Sequence, residues 1–93
     1  MIPVNEPVLT DQDFEYLKEA FSSGWISSAG KYIEQFEKKW AEYCGMTHGI
    51  SVSNGTAAIQ LALDAAGIGV GDEVIMPSFT IISCGQAVTN LGA

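Results

Sequence analysis

The sequence predicts an α/β fold, and three observations carry that prediction. From residue 48 onward, short apolar runs alternate with helix-like segments in the order run, helix, run, helix, which is the pattern of a parallel or mixed sheet. The runs, His48-Gly49-Ile50-Ser51-Val52 and Val74-Ile75-Met76, end in small-residue or proline turns. The helix between them is apolar almost all round, as a helix covered on more than one side is. The composition agrees: 47% hydrophobic and 16% charged over 93 residues is globular rather than disordered and makes one domain at most. It is also more apolar than a small monomer needs, so part of the surface is expected to be covered by something outside these residues.

The elements follow in order. Pro3 and Pro7 keep residues 1–9 extended. Thr10-Asp11-Gln12-Asp13 reads as a helix start, with the Thr10 hydroxyl capping the N–H of Asp13 and acidic side chains at the positive helix end. Phe14, Leu17 and Phe21 continue it as one apolar stripe. The Gly/Ser loop Ser22-Ser23-Gly24-Trp25-Ile26-Ser27-Ser28-Ala29-Gly30 breaks that helix. Its Trp25 is either a core anchor or part of a ligand wall. Residues 31–44 form a second helix, with Ile33, Phe36, Trp40 and Tyr43 on one side and a Glu34–Lys38 pair on the wet face. Gly45 ends it in a left-handed turn. A strand is expected at 48–52, a third helix at 56–66 ended by Gly67, and a strand at 74–76 closed by Pro77. Ile81, Cys84, Val88 and Leu91 trace a fourth helix that Gly92 ends.

Charge and cysteine usage exclude several function classes. The net charge is −7, with four lysines and no arginine, whereas nucleic acid and anionic membrane surfaces require clustered cations. No His or Cys stands at ligand spacing from Cys44 or Cys84, so no metal site is expected. Two reduced, partly buried thiols fit a cytoplasmic protein. No apolar run approaches a membrane span, and the N-terminus lacks the basic start and apolar middle of a signal peptide.

One stretch points to chemistry. In Ile50-Ser51-Val52-Ser53-Asn54-Gly55-Thr56-Ala57-Ala58 a β-like run ends in a small-residue turn that opens a helix. A helix start presents free N–H donors and about half a positive charge. Gly55 allows a sharp turn and close approach, and Ser53 and Thr56 add hydroxyls. Such a turn seats a phosphate, or it is an ordinary N-cap; the residues alone leave both open. Pro77-Ser78-Phe79-Thr80-Ile81-Ile82-Ser83-Cys84 is a second strand-end loop that leads into a helix, and in an open α/β sheet ligands gather at such ends. Other motifs fail. No Gly-Lys-Ser/Thr follows a glycine-rich loop, which excludes a P-loop. Gly67-Ile68-Gly69-Val70-Gly71 follows a helix and precedes a run, the reverse of a dinucleotide fingerprint. Gly49-Ile50-Ser51-Val52-Ser53 lacks the last glycine of a nucleophile elbow. His48, the only histidine, has no evident catalytic partner.

At these residues the chain resembles the N-terminal part of the pyridoxal-phosphate-dependent nucleotide-sugar aminotransferases (DegT/StrS type, fold type I), with perosamine-synthase-like members the most similar. The resemblance runs in order through Ile2-Pro3-Val4-Asn5-Glu6-Pro7, Gly24-Trp25-Ile26-Ser27-Ser28-Ala29-Gly30-Lys31-Tyr32, residues 48–58, residues 71–80 and Leu91-Gly92-Ala93. It implies that Asn54, Gly55, Thr56 and Ala57 hold the cofactor phosphate, and that the 79–83 loop, through Phe79, Ile81 and Ser83, lies over the pyridine ring. Many members carry an aromatic where Ile81 stands, so apolar contact would replace ring stacking here. The loop with Trp25, Ser27 and Lys31 would border the sugar-nucleotide site. Members are dimers whose sites draw on both subunits.

The resemblance also implies what these residues do not hold. The Schiff-base lysine and the acidic partner of the pyridinium nitrogen lie far downstream in the family. Lys18, Lys31, Lys38 and Lys39 match neither position. The expectation is therefore an incomplete large domain, with residues 1–47 an arm plus helices and 48–93 the start of the sheet. It carries the phosphate turn of an enzyme of nucleotide-sugar and polysaccharide biosynthesis that moves an amino group, glutamate being the expected donor, onto a keto-sugar nucleotide. The residues by themselves are expected to be inactive and to bind cofactor weakly or not at all. The alternative is a non-catalytic phosphate-binding or oligomerising α/β module.

Overall fold

Among the described residues four helices form: α1 (Asp11–Ser23), α2 (Lys31–Tyr43), α3 (Gly55–Ala65) and α4 (Ser83–Asn90). The computed structural model describes residues 2–93. Thr10 caps α1 as expected, its hydroxyl oxygen accepting from the Asp13 N–H at 3.4 Å. The Asp13 carboxylate reaches back to the Thr10 N–H at 2.8 Å, which completes a capping box. The Thr10 side chain, and after it the Thr10 N–H, hold the Asp13 carboxyl below its ordinary range.

Glycines stop the helices in left-handed geometry. Gly24, with φ 72°, ends α1, and Gly45, with φ 66°, follows α2. After α2, the Met46 N–H returns to the Ala41 carbonyl at 2.8 Å. The 67–71 stretch, expected to join a helix to a strand, leads from α3 into residues that form no strand. Gly69 donates its N–H to the Asp72 carboxylate at 2.8 Å, and its carbonyl accepts from the Asp72 N–H at 3.1 Å.

The strands expected at 48–52 and 74–76 do not form; the described residues hold no β-strand. A strand exists only when a neighbouring strand takes its N–H and C=O groups in a ladder, and no such ladder forms among the described residues. Ile50 and Ile75 stand exposed. The described architecture is therefore helical, in two compact units, Met1–Gly49 and Ile50–Ala93.

In the first unit, Ala41 of α2 is buried. The aromatic stripe of α2 is not. Phe36 and Trp40 stack at 6.1 Å, Trp40 and Tyr43 at 5.5 Å, and all three are exposed. In the second unit α3 packs on α4. Ala87 and Val88 of α4 are buried, and Asn90 Nδ2 donates to Gln60 Oε1 at 3.3 Å. The sequence predicts α3 covered on more than one side, yet none of its residues is buried; α4 covers one face only. Cys44 is exposed and Cys84 half-buried, and both are free thiols.

Candidate functional site

The start of α3 is capped by its own sequence. Asn54 is extended, with φ −166° and ψ 170°. Its Oδ1 accepts from the Ala57 N–H at 2.9 Å, and its carbonyl accepts from the Ala58 N–H at 3.1 Å. Its Nδ2 donates to the Ser53 hydroxyl at 3.2 Å. The ordinary N-cap is thus present, and it occupies Ala57. The N–H groups of Gly55 and Thr56 have no acceptor among the described residues. N–H groups in the first turn of a helix point out of its N-terminal end, and Thr56 also carries a hydroxyl.

Two further features suit this end to an anion. No acidic residue stands in the first turn of α3, whereas the first turn of α1 carries Asp11 and Asp13 and that of α2 carries Glu34. In a chain of net charge −7, that leaves the positive end of the helix dipole uncancelled. Gly55 provides room rather than an unusual turn. Its φ is not positive, and a Cβ built on it would meet nothing within 4 Å. The absence of a side chain at Gly55 leaves the helix start open on that side. The residues present fit a phosphate group.

Phe79, Ile81 and Ser83 lie at the start of α4, in the same unit as the Asn54 turn. Phe79 and Ile81 are exposed and Ser83 is half-buried. Ile82 stands at the N-cap position with no side-chain cap. Thr80 Oγ1 lies 3.8 Å from Cys84 Sγ.

The first unit brings Trp25 and Lys31 together and leaves Ser27 aside. A pocket of about 390 Å³ opens between Glu19 and Ser23 of α1, Trp25 and Ala29 of the loop, and Lys31 and Tyr32 of α2; Ser27 does not line it. Trp25 is 61% exposed and lines this pocket. Two residues here escape a sequence reading. The Glu19 carboxylate accepts from both the Lys31 ammonium and the Tyr32 hydroxyl. The Lys31 and then the Tyr32 hydrogen bonds hold the Glu19 carboxyl below its ordinary range. The Glu19 bond raises both Lys31 and Tyr32. A signal was available: Lys31 opens α2, at the helix end whose dipole disfavours a cation, and so calls for an acidic partner.

Among the described residues no cluster of three or more His, Cys, Asp or Glu side chains is arranged to hold a metal. No described helix is long and apolar enough to cross a membrane.

Residues 7–93 match the DegT/DnrJ/EryC1/StrS aminotransferase family. The chain is 47% identical over 93 residues to a GDP-perosamine synthase of Vibrio cholerae, covering all of this chain and 25% of that protein. It is 49% identical over 92 residues to a GDP-perosamine synthase of Caulobacter vibrioides, covering 99% of this chain and 25% of that protein. It thus spans about a quarter of the length of these curated relatives. An aminotransferase from Psychrobacter cryohalolentis superposes with a TM-score of 0.88 at 34% identity, over 94% of this chain and 22% of that one. With a family match over nearly its whole length and an independent structural likeness, the chain belongs to the DegT/DnrJ/EryC1/StrS aminotransferase family.

Proposed function

We propose that this chain is the cofactor-phosphate portion of a pyridoxal-phosphate-dependent aminotransferase acting on a keto-sugar nucleotide. The family depends on that cofactor in general, and the named relatives are perosamine synthases. The observation that carries the reading is the start of α3: two N–H groups without an acceptor among the described residues, an adjacent hydroxyl, open space at Gly55 and no carboxylate in the first turn.

On this reading Gly55 and Thr56 donate their N–H groups to the phosphate, and the Thr56 hydroxyl adds a third donor. Asn54 serves as the cap and orients the turn. The Ala57 N–H reaches a ligand only if the Asn54 side chain turns away. Phe79 and Ile81 supply apolar cover for the ring, and Ser83 a hydroxyl beside it. Trp25 and Lys31 border the sugar nucleotide; Ser27 contributes through the loop backbone or not at all. The bound cofactor supplies an electron-withdrawing ring that stabilises the charge left when a bond to the amino-acid carbon breaks.

Lys18, Lys31, Lys38 and Lys39 all lie on α1 and α2, in the unit other than the one that holds the phosphate turn. None is assigned as the covalent anchor of the cofactor. Residues 1–93 are accordingly half of a chemistry, a seat without its nucleophile. The exposed aromatic stripe of α2 supports an assembled state, with the remaining polypeptide or a second copy as cover. The test is an amination assay with glutamate and a keto-sugar nucleotide. The whole polypeptide is expected to form the amino sugar and residues 1–93 alone to form none. Turnover by the 93 residues would overturn the assignment of an absent nucleophile, and no turnover by the whole polypeptide would overturn the reaction class.

A further inference from the structure

Loop 24–30, which joins α1 to α2, is closed at three points. The Ser23 hydroxyl accepts from the Trp25 N–H at 3.3 Å and donates to the Ala20 carbonyl at 2.8 Å. Gly30 is buried against the other end of the loop, where a Cβ would lie 3.2 Å from the Trp25 carbonyl oxygen. Glu19 spans the foot, taking the side chains of Lys31 and Tyr32, which are 12 and 13 positions away. Tyr32 is seated further by Tyr16, whose ring centroid is 5.5 Å away, and by the Lys31 ammonium 5.0 Å from its own centroid.

We propose that Glu19 is a positioning residue that ties the start of α2 to α1 and thereby fixes Trp25 at the mouth of its pocket. Its consequence for substrate rests on the reading that this pocket borders the sugar nucleotide. Two physical arguments support it. Lys31 opens α2, at the helix end whose dipole disfavours a cation, and pairing with Glu19 relieves that. The pair is also about half exposed, and exposed ion pairs contribute little to global stability. A bridge of this kind acts on local geometry: it removes freedom from one loop and leaves the folding equilibrium nearly untouched.

The experiment uses the whole polypeptide with Glu19→Ala, Glu19→Gln, Lys31→Glu and the double charge swap E19K/K31E. Amide exchange in residues 24–30 and the site-resolved titration of the Tyr32 phenol are measured on each, and substrate KM and kcat on Glu19→Ala and Glu19→Gln. Glu19→Ala is expected to speed loop exchange roughly two- to five-fold, with the urea midpoint, kcat and cofactor content unchanged and KM raised several-fold. Lys31→Glu is expected to speed loop exchange in the same way, and the charge swap to restore slow exchange; KM is read only on the Glu19 variants, because Lys31 itself borders the pocket. Glu19→Gln, the mildest change, is expected to return the Tyr32 phenol toward its ordinary value. Loop exchange equal to the parent's in Glu19→Ala and Glu19→Gln, or no restoration by the charge swap, would overturn the clamp. Faster exchange with an unchanged KM would support the clamp and overturn the reading of the pocket as a sugar-nucleotide border.

Discussion

Replacing Thr56 by valine is expected to weaken binding of pyridoxal phosphate to the whole polypeptide about ten-fold or more. A hydrogen bond to a charged group contributes about 1.5–3 kcal/mol, and each 1.4 kcal/mol is roughly a factor of ten in Kd. Valine keeps the branched shape and the backbone N–H, so the variant removes the hydroxyl and little else. The parent makes no intramolecular bond through this hydroxyl among the described residues, so the urea midpoint should stay where it is. Gly55→Ala is the companion test. A methyl there meets nothing in the protein itself and has no positive φ to resist it, so the fold should tolerate it or gain slightly from alanine's helix preference. The same methyl enters the space a phosphate would use, and binding should fall. A cofactor titration that gives the parental Kd for both variants would remove the start of α3 from the site.

Gly49→Ala is expected to destabilise the protein by about 1–3 kcal/mol, the usual range for forcing extra volume into a fixed contact. The segment after α2 folds back along that helix. A Cβ at position 49 would lie 2.5 Å from the Glu37 carbonyl oxygen, 3.3 Å from its carbon and 3.4 Å from its Cα. These are helix backbone atoms, which cannot swing aside as a side chain would. Gly49 has no positive φ, so the effect is one of space alone. A matched substitution at Gly55, where space is open, serves as the control. Equal urea midpoints for the two variants would show that segment 46–49 lifts from α2 at little cost.

What was legible in the sequence is what neighbours along the chain decide. Thr10 and Asp13 are three residues apart, and their capping box needs nothing else. The left-handed glycines after the helices, Gly45, Gly67 and Gly92, are read from position in the same way. The start of α3 was half legible: hydroxyls and a glycine at a helix start predict a donor cluster, but not that Asn54 consumes the Ala57 N–H. Its place after Asn54 predicts that Gly55 makes a sharp turn, yet Gly55 stands in the helix with no positive φ and open space around it.

Features that depend on distant groups were not legible. Val74-Ile75-Met76 has strand composition, yet strand identity lies in a hydrogen-bonding neighbour, and Ile75 is fully exposed. The apolar ring of α3 predicts cover on several sides, and α4 provides one. Glu19 meets Lys31 and Tyr32 because a loop turns α2 back toward α1, and no local spacing rule reports a closure of that length. Trp25 could not be assigned to core or pocket until that loop was in place.

The central claim is that the backbone at the start of α3 recognises the cofactor's phosphate. The most direct measurement labels the whole polypeptide with 15N-glycine and 15N-threonine and follows its amides as pyridoxal phosphate, then pyridoxal without the phosphate, is added. Gly55 and Thr56 are predicted to move strongly downfield with the first and to stay near their free positions with the second. Equal shifts with both compounds, or shifts confined to other glycines and threonines, would contradict the claim.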